Sequence, residues 1–382
     1  MRALRVISML AASCLILSFV LVAQGPKSTN SDTVARPKKG DKTPDKPPTT
    51  GTAADLPPLP SEFKRNPNGP NGNEPNFRVD ASSVTVEVSV VDPAGNFISN
   101  IPQVDFRISE DNVPQKITSI GLGEGPMTIC MVIEFSNLFQ KFYSEPWYQT
   151  LTAANEFLST LRPDDYVAIV AYDLRPEILS DFSTDRRDAM DAMSRLRMAA
   201  YTETVLYDAL TTTVERMQEI EGRKAVLLIS SGIDTISHQN YGEARKKIQN
   251  AGVPIYSLGL MQAIRDYYYG MGAMGDMQRT EFLMADNQLK TFSQESGGLS
   301  YFPRFYGQFP EIFRSISEAL RKQYVVTYSP TNAARDGKFR KLKVELIDPN
   351  TNKPLVIKDQ KGKAVKYQVV AKTGYTAPRE VE

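Results

Sequence analysis

Four short runs of apolar residues constrain the fold of this chain more than any other feature. They are nearly uninterrupted, as in strands that are covered on both faces of a parallel sheet. The runs occupy residues 127–133, 166–171, 225–229 and 254–260, and apolar residues recur with helical spacing at 151–161, 206–217 and 309–320. This alternation predicts an α/β fold over residues 125–323, with an open, doubly wound, mostly parallel and Rossmann-like sheet.

Segments with the two-residue period of β-strands flank this region on both sides. Apolar and polar residues alternate at 84–90 before it, and at 342–346 and 365–369 after it. Such alternation is typical of strands with one buried face. We predict small all-β segments at residues 77–124 and 324–377. We expect the two segments to pack together with the α/β region inserted between them, and two separate β modules are the alternative.

The amino terminus has the pattern of an export signal. Arg2 and Arg5 precede an apolar run at residues 7–22, and the small residue Ala23 follows it. This pattern predicts a secretory signal peptide at residues 1–23. The run is slightly short for a membrane span, and an uncleaved membrane anchor is the alternative. We therefore expect an exported protein that is periplasmic, on the cell surface or secreted.

The segment after the signal peptide is not predicted to fold, and the two cysteines do not predict a disulfide scaffold. Residues 24–76 are rich in Pro, Lys, Thr, Asp, Gly and Asn and poor in large apolar side chains, which predicts a disordered, Pro-rich linker. Cys14 lies inside the apolar run of the signal, and Cys130 lies in the first predicted buried strand. Export therefore does not imply a disulfide scaffold here.

Charge and motifs argue against two classes of function. The chain has 45 basic and 44 acidic residues, for a net charge of +1, so no strong field attracts nucleic acid or an anionic membrane. We expect membrane contact only through an uncleaved N-terminal segment. The single histidine, His238, excludes any site that needs two. No Walker sequence, Gly-x-Ser-x-Gly elbow or His-Glu pair on a helix is present, and we predict that the protein is not an enzyme.

Polar residues follow the predicted parallel strands at the edge where such sheets bind ligands. Ligands of open α/β sheets bind beyond the carboxyl ends of the strands. Glu134 and Ser136 follow the first strand, Thr204 precedes a helix, and Ser231 and Asp234 follow the third strand. We expect these side chains to lie near one another.

The order and spacing of these segments carry a family resemblance. The run Thr204-Val-Leu-Tyr-Asp-Ala-Leu210 and the run Val226-Leu-Leu-Ile-Ser-Ser-Gly-Ile-Asp234 resemble two motifs of von Willebrand factor type A domains, over about 126–323. The first resembles the threonine-containing start of the family's third helix, and the second a strand ending in Asp-Gly-x-Asp. The flanking segments 104–115, 328–332 and 336–339 are similar to exported type A-related proteins that are abundant in acidobacteria.

The resemblance implies a metal-ion-dependent adhesion site, from which this chain departs. The family pattern is Asp-x-Ser-x-Ser with a distant Thr and a distant Asp, and its oxygens hold a hard cation that binds a partner's carboxylate. Ser136 and Thr204 match the pattern. Glu134 stands in place of the first Asp, Leu138 replaces the second Ser, and Ser231 replaces the distant Asp, so that Asp234 is the nearest carboxylate. Two outcomes are open: a weak Mg²⁺ or Mn²⁺ site, or a degenerate site whose polar groups cap strand ends and helix starts. If the site is degenerate, replacing Glu134 or Thr204 with Ala should change stability only modestly.

A glycine-rich stretch at residues 261–284 follows the fourth strand. We predict a loop there whose side chains form an adaptable contact surface for a protein partner, and a disordered insertion without a partner is the alternative. The sequence thus predicts an exported, non-catalytic protein-interaction or adhesion-type module, with a structural component of a cell-envelope assembly as the alternative. The residues expected to contact the partner are Tyr267, Tyr268, Tyr269, Met271 and Met274.

Overall fold

The computed structural model describes residues 83–379, except 94, 124, 198, 359 and 360. The predicted signal peptide at 1–23, the linker at 24–76 and the first residues of the N-terminal β segment lie outside the described residues. Across the described part of the chain, no helix is both long enough and apolar enough to cross a membrane.

A six-stranded sheet forms the centre of the α/β region. The strands up to residue 301, in chain order, are β1 (Val84–Val91), β2 (Phe106–Glu110), β3 (Val113–Gln115), β4 (Ile117–Leu122), β5 (Met127–Glu134), β6 (Tyr166–Tyr172), β7 (Pro176–Ser183), β8 (Arg223–Ser230), β9 (Ile255–Gly259) and β10 (Ser300–Tyr301). The central sheet has the order β10-β9-β8-β5-β6-β7. The strands pair in parallel except β7, which is antiparallel to β6. The doubly wound, mostly parallel sheet predicted from the sequence is therefore confirmed.

Helices cover both faces of this sheet because its central strands are apolar on both sides. All eight residues of β5 are buried, and successive side chains point to opposite faces. Ile129 and Met131 enter one core, and Cys130 and Val132 enter the other. The helices of the first core are α1 (Asn137–Thr160), α2 (Arg186–Ser194), α5 (Met261–Gly270) and α7 (Phe309–Arg321); those of the second are α3 (Leu206–Gln218), α4 (Tyr241–Ala251) and α6 (Asp276–Ser296).

Strand β7 was not predicted from the sequence, and its position explains why. It lies at the edge of the sheet, and only Leu179 among its eight residues is buried. Its ladder with β6 also has two irregularities in register. A half-exposed, irregular edge strand has neither an apolar run nor a clean two-residue period, so neither sequence signal is present.

The β segments on either side of the α/β region pair with each other, as expected. The later strands are β11 (Tyr324–Tyr328), β12 (Phe339–Asp348), β13 (Lys353–Pro354), β14 (Ile357–Lys358), β15 (Ala364–Val365), β16 (Gln368–Ala371) and β17 (Gly374–Thr376). One antiparallel sheet has the order β16-β1-β11-β4, and a second has β13-β12-β2-β3 with β17 also on β12. Each sheet thus joins strands from both ends of the described chain. Val86, Val326, Phe106 and Leu342 belong to the core that the two sheets share.

The chain passes between the β strands and the α/β region twice, and Arg223 contacts both passages. Its Nη1 donates to the carbonyl of Gly123, 3.0 Å away, just after β4. Its Nη2 donates to the carbonyl of Leu320 and to Oε1 of Gln323, at the end of α7 and the start of β11. One arginine at the start of β8 therefore ties the two connections together.

The expectation of a glycine-rich loop at 261–284 is wrong. Residues Met261–Gly270 form α5, and α6 begins at Asp276. The two helices enclose a turn of five residues, in which Gly272 has a φ of 67°. The glycines thus mark only this turn. Met261 and Ile264, one helical turn apart, are buried in the core, and this spacing is what fixes α5 as a helix.

Candidate functional site

The carboxyl ends of β5, β6 and β8 bring five polar side chains into a buried cluster, called here the Glu134 cluster. Its members are Glu134, Ser136, Tyr172, Ser230 and Ser231, and none is more than 2% exposed. The parallel register places Glu134 opposite Tyr172 on β6, while β8 ends beside Glu134 at Ser230. The sheet therefore gathers residues that are up to 97 positions apart in the chain.

The carboxylate of Glu134 is surrounded by protein donors. Oε1 accepts from the hydroxyl of Ser136 at 2.8 Å and from that of Ser231 at 3.0 Å. Oε2 accepts from the hydroxyl of Ser230 at 2.9 Å, and from the backbone N–H and hydroxyl of Ser231, both at 2.8 Å. Three serine hydroxyls and one N–H thus supply four donors for a group with about four lone-pair positions. The Tyr172 hydroxyl also lies 3.3 Å from Oε2, although its shorter hydrogen bond is to Ser230. The carboxylate is saturated without a cation.

Two of the hydroxyls that donate to the carboxylate, those of Ser230 and Ser231, are themselves held by further donors. Ser230 Oγ accepts from the Tyr172 hydroxyl at 2.8 Å and from the N–H of Gly232 at 2.9 Å. Ser231 Oγ accepts from the N–H of Ile233 at 3.0 Å. The network therefore orients the hydroxyl protons of Ser230 and Ser231 towards the carboxylate and leaves them little freedom for a rearrangement around a metal ion.

Burial and hydrogen bonding have opposite effects on the acidity of Glu134. Burial raises the pKa of its carboxyl, and the hydrogen bonds from Ser231, Ser136 and Ser230 oppose that rise. Burial, together with the charge of Glu134, also raises the pKa of Tyr172 well above its ordinary value. Tyr172 therefore stays protonated and remains a donor throughout the ordinary pH range.

Thr204 does not join the Glu134 cluster, although the family pattern predicts it as a ligand. Its hydroxyl donates to the carbonyl of Ile233 at 2.7 Å, and its N–H donates to Oγ1 of Thr235 at 2.7 Å. The N–H of Thr235 donates back to the Thr204 carbonyl at 3.0 Å. These bonds fasten the segment before α3 to the loop after β8, so the threonine has a structural partner in place of a cation.

Asp234 and Asp208 form a second group at the start of α3, called here the α3 cap. Asp234 Oδ1 accepts from the N–H of Tyr207 at 3.1 Å and from the hydroxyl of Ser237. In return, Asp208 on α3 accepts from the N–H of His238 at 2.9 Å and lies 2.8 Å from its Nδ1. Each carboxylate therefore satisfies backbone donors of the other's segment, as an N-cap does.

The two carboxylates of the α3 cap differ in acidity for physical reasons. Burial raises the pKa of Asp234, because its hydrogen bonds from Ser237 and Tyr207 only partly offset the loss of water. Burial acts in the same direction on Asp208, but hydrogen bonds from His238 and Gln239 outweigh it and lower the pKa.

The predicted metal ligands thus do not converge on one point. Glu134, Ser136 and Ser231 meet in the buried cluster, whereas Thr204 and Asp234 are engaged in other hydrogen bonds. The side chain of Leu138 lies outside the described residues. Within the described ranges, no group of three or more His, Cys, Asp or Glu side chains is placed to hold a metal ion. The residues present therefore do not fit a resident divalent cation.

Helix α6 packs against the loop that follows β8, next to the Glu134 cluster. Gly232, in the loop after β8, has a φ of 77°, and a Cβ added there would lie 2.6 Å from the carbonyl oxygen of Ala285. Only glycine permits this approach of α6 to the loop. On α6, Asp286 forms a buried ion pair with Arg265 of α5, which holds the two helices together.

A comparison with models of protein families identifies one known domain in part of this chain. Residues 138–233 match the family model of the von Willebrand factor type A domain. The matched residues include Thr204 and Ser231 and leave out Glu134, Ser136 and Asp234. The type A match thus covers strands β6, β7 and β8 of the central sheet but not β5, which carries Glu134, and it includes two of the five predicted ligand positions. The comparison with curated proteins gave no match.

Several solved structures are similar to this chain at low identity. The von Willebrand factor type A protein from Catenulispora acidiphila has 11% identity and a TM-score of 0.42, over 78% of this chain and 76% of that one. The vWF domain of a type V pili tip protein from Porphyromonas gingivalis has 13% identity and a TM-score of 0.38, over 51% and 95%. Proximal thread matrix protein 1 from the mussel byssus, solved with zinc in its MIDAS motif, has 14% identity and a TM-score of 0.40, over 55% and 49%. This chain therefore spans about half the length of the mussel protein.

The five residues predicted to contact a partner lie on α5 and the turn after it. Tyr267 and Met271 are each 62% exposed, and Tyr269 is 45% exposed. Tyr268 and Met274 are half-buried, and Tyr268 packs against the first core. Three of the five side chains are thus presented to solvent, on a helical hairpin.

Tyr172 and Ser230 are members of the Glu134 cluster that were not among the residues predicted for the site. Both stand one position beyond the apolar runs used to place the strands, at the carboxyl ends of β6 and β8. Extending each run by one residue would have placed both at the same sheet edge as Glu134.

Proposed function

We propose that the protein is an exported, non-catalytic interaction module that binds a protein partner without a bound cation. The observation that carries the proposal is the Glu134 carboxylate, which is fully buried and accepts from four protein donors. A metal ion would have to displace these donors, and the network around them offers no compensation. When the domain's own hydrogen bonds occupy the groups that would hold the metal ion, a type A domain binds its partner through the complementarity of the two surfaces alone.

The same geometry supports a non-catalytic role. Glu134 is 0% exposed, so its carboxylate cannot reach a substrate. Asp234 and Asp208 accept from backbone N–H groups of neighbouring segments, which commits their oxygens to structure. General acid–base catalysis needs a group within hydrogen-bond reach of the reacting atom. These three carboxylates do not meet that need.

The surface offered to the partner is the hairpin of α5 and α6. Tyr267, Tyr269 and Met271 are exposed there, and tyrosine and methionine are enriched at protein interfaces. With a net charge of +1, the chain has no field that favours nucleic acid. Export follows from the N-terminal pattern at residues 1–23, and membrane contact would come only from that segment if it is not cleaved.

Site-directed photo-crosslinking of the full chain in its source cells tests this function. A photoreactive residue is placed at Tyr267 on the hairpin and, as a matched control, at Met190 on α2, which is 37% exposed. We expect a crosslinked protein from position 267 but not from 190, with the same yield in excess EDTA. Loss of the crosslink in EDTA would contradict cation-independent binding, and equal yields at both positions would contradict the hairpin as the contact surface.

A further inference from the structure

Exposed apolar side chains are concentrated on one part of this molecule. Of the seventeen large apolar side chains exposed among the described residues, seven lie between positions 267 and 305. That span is a small fraction of the described chain, so their density there is several times higher than elsewhere. Clustered exposed apolar residues mark contact sites, whereas scattered ones do not. The seven are Tyr267, Tyr269, Met271, Met277, Leu283, Met284 and Phe305.

The area of this cluster matches what one partner contributes to a stable complex. The exposed fractions of the seven side chains range from 42% to 80%. With about 200 Å² for each whole side chain, their exposed surface amounts to about 800 Å². A specific interface buries about 800 Å² on each partner. This sum is an upper limit for one contact, because Tyr267 and Tyr269 are two positions apart on α5 and project from different sides of that helix.

The hairpin presents all of these side chains except that of Phe305 on a fixed framework. Arg265 and Asp286 form a buried ion pair between α5 and α6. The guanidinium of Arg279 on α6 lies 4.1 Å from the ring centre of Tyr269 on α5, a cation–π contact. A surface that is ordered before binding loses less conformational entropy on association. The exposed residues are therefore arranged to bind without prior rearrangement.

The charges around the cluster are of both signs. Residues 267–275, between the two helices, contain no charged side chain. Asp266, Asp276 and Glu281 flank this segment, together with Arg279 and Arg304, and Arg304 Nε lies 3.9 Å from Asp266 Oδ2. Three carboxylates and two arginines disfavour an anionic lipid surface, since such surfaces attract basic clusters. They also allow the patch to complement a copy of itself, because acids and bases can face each other across a two-fold axis.

We propose that the α5–α6 hairpin is the contact through which two copies of this chain associate about a two-fold axis. The inference rests on the proposed function, because it names the partner of that same surface. The apolar character of the patch favours a second copy, since the interfaces of homodimers are more apolar than those of transient complexes. Each tip would pack its uncharged segment against that of the other copy, with the flanking charges paired across the contact.

Sedimentation of the full chain over a range of concentrations up to about 100 µM measures this association directly. We expect a dimer for the wild-type chain. The double variant Met271→Lys and Met284→Lys places four like charges in the contact and should weaken the dimer by about 100-fold or more. The matched control Met190→Lys, on α2, should leave it unchanged. A wild-type chain that stays monomeric at about 100 µM, or a dimer that the double variant does not weaken, overturns the inference.

Chemical crosslinking provides a second measurement that does not depend on how strongly charges perturb the fold. The variant Met271→Cys is made in a chain with Cys14→Ser and is treated with a short bis-maleimide. Cys130 is buried and burial raises the pKa of its thiol to about 12, so it should not react. We expect covalent dimers from Met271→Cys and none from Met190→Cys. If the chain is monomeric while the hairpin still crosslinks to a different protein in cells, this inference fails and the proposed function stands.

Discussion

The Glu134 cluster and the α3 cap lie at the same edge of one sheet, yet they treat their carboxylates differently. In the Glu134 cluster one fully buried carboxylate takes four donors, mostly from serine hydroxyls. In the α3 cap, the less buried Asp234 and Asp208 accept backbone N–H groups at the start of a helix and from a loop. In the family pattern, the residues at the positions of Glu134, Ser136, Thr204 and Ser231 act together on one cation. Here Glu134, Ser136 and Ser231 share hydrogen bonds, whereas Thr204 bonds to the Ile233 carbonyl.

The difference between the two regions follows from access to water. A buried carboxylate without water must find all its donors in the protein, since each missing one costs free energy. A partly exposed carboxylate can accept some of its hydrogen bonds from water, so fewer protein donors suffice. We therefore expect changes in the Glu134 cluster to destabilise the fold strongly and changes in the α3 cap to destabilise it weakly.

The largest effect is expected for Glu134→Ala. The change leaves three hydroxyls and one N–H without an acceptor in a buried site, and should lower the free energy of unfolding by about 4 kcal/mol. This exceeds the modest effect that the sequence suggested for a degenerate site, because the sequence could not reveal the four donors. Urea denaturation of the full chain measures it.

The isosteric variant Glu134→Gln is the control for volume. It keeps one acceptor oxygen and should therefore lower the free energy of unfolding by less than Glu134→Ala does. A loss below about 1 kcal/mol for Glu134→Ala, near that of an ordinary surface change, would mean that the cluster is not the structural centre described here.

The next largest effect is expected for Gly232→Ala, which tests how tightly α6 closes over the cluster. The added Cβ would meet the Ala285 carbonyl at 2.6 Å, on a residue whose φ is 77°. The left-handed backbone conformation and the overlap with the Ala285 carbonyl should together lower the free energy of unfolding by about 3 kcal/mol. Gly222, with a φ of 84° and no atom within 4 Å of an added Cβ, is the matched control.

Gly222→Ala carries only the backbone strain and should cost about 1 kcal/mol. Thermal and urea unfolding of the two variants separate strain from closure. Equal losses at the two glycines would show that α6 does not press on the loop after β8.

A smaller effect is expected for Asp234→Ala in the α3 cap. The variant removes the acceptor of the Tyr207 N–H, and loss of such a helix cap costs about 1 kcal/mol. Asp234→Asn keeps an acceptor oxygen and should cost only a few tenths of that. If Asp234→Ala lowered the free energy of unfolding as much as Glu134→Ala does, the two regions would act as one site, which would contradict the comparison.

Much of the fold could be predicted because burial on both faces leaves a plain signal. The runs of β5, β6, β8 and β9 were found with errors of one or two residues at their ends. The paired β flanks were also expected, since their alternation predicts one buried face that must be covered. Strand β7 gave no signal because it is half-exposed and irregular.

The candidate site was predictable only as a neighbourhood. Strand ends placed Glu134, Ser136 and Ser231 together, and the structure agrees. The sequence could not tell that the Thr204 hydroxyl donates to the Ile233 carbonyl, because that bond depends on how the loop after β8 folds back. Loop geometry of this kind has no periodic signature.

The glycines in the region of α5 and α6 predict a loop, whereas the structure has two helices there. Gly270, Gly272 and Gly275 lie within six positions of one another and suggested a loop over the whole stretch. Only the turn needs them, and the buried Met261 and Ile264 show the helical spacing that was overlooked. A local cluster of glycines therefore defines a turn, while the residues on either side follow their own periodicity.

The most direct test of the central claim is a titration of the full, EDTA-treated chain with Mg²⁺ and Mn²⁺, followed by calorimetry and thermal unfolding. If the Glu134 carboxylate is satisfied by its own donors, no binding heat and no rise in Tm should be seen up to about 10 mM metal. A one-site isotherm with a Kd below about 1 mM, with stabilisation that follows mass action and is lost in Glu134→Gln, would contradict the account. Such a result would mean that the cluster opens and binds a cation.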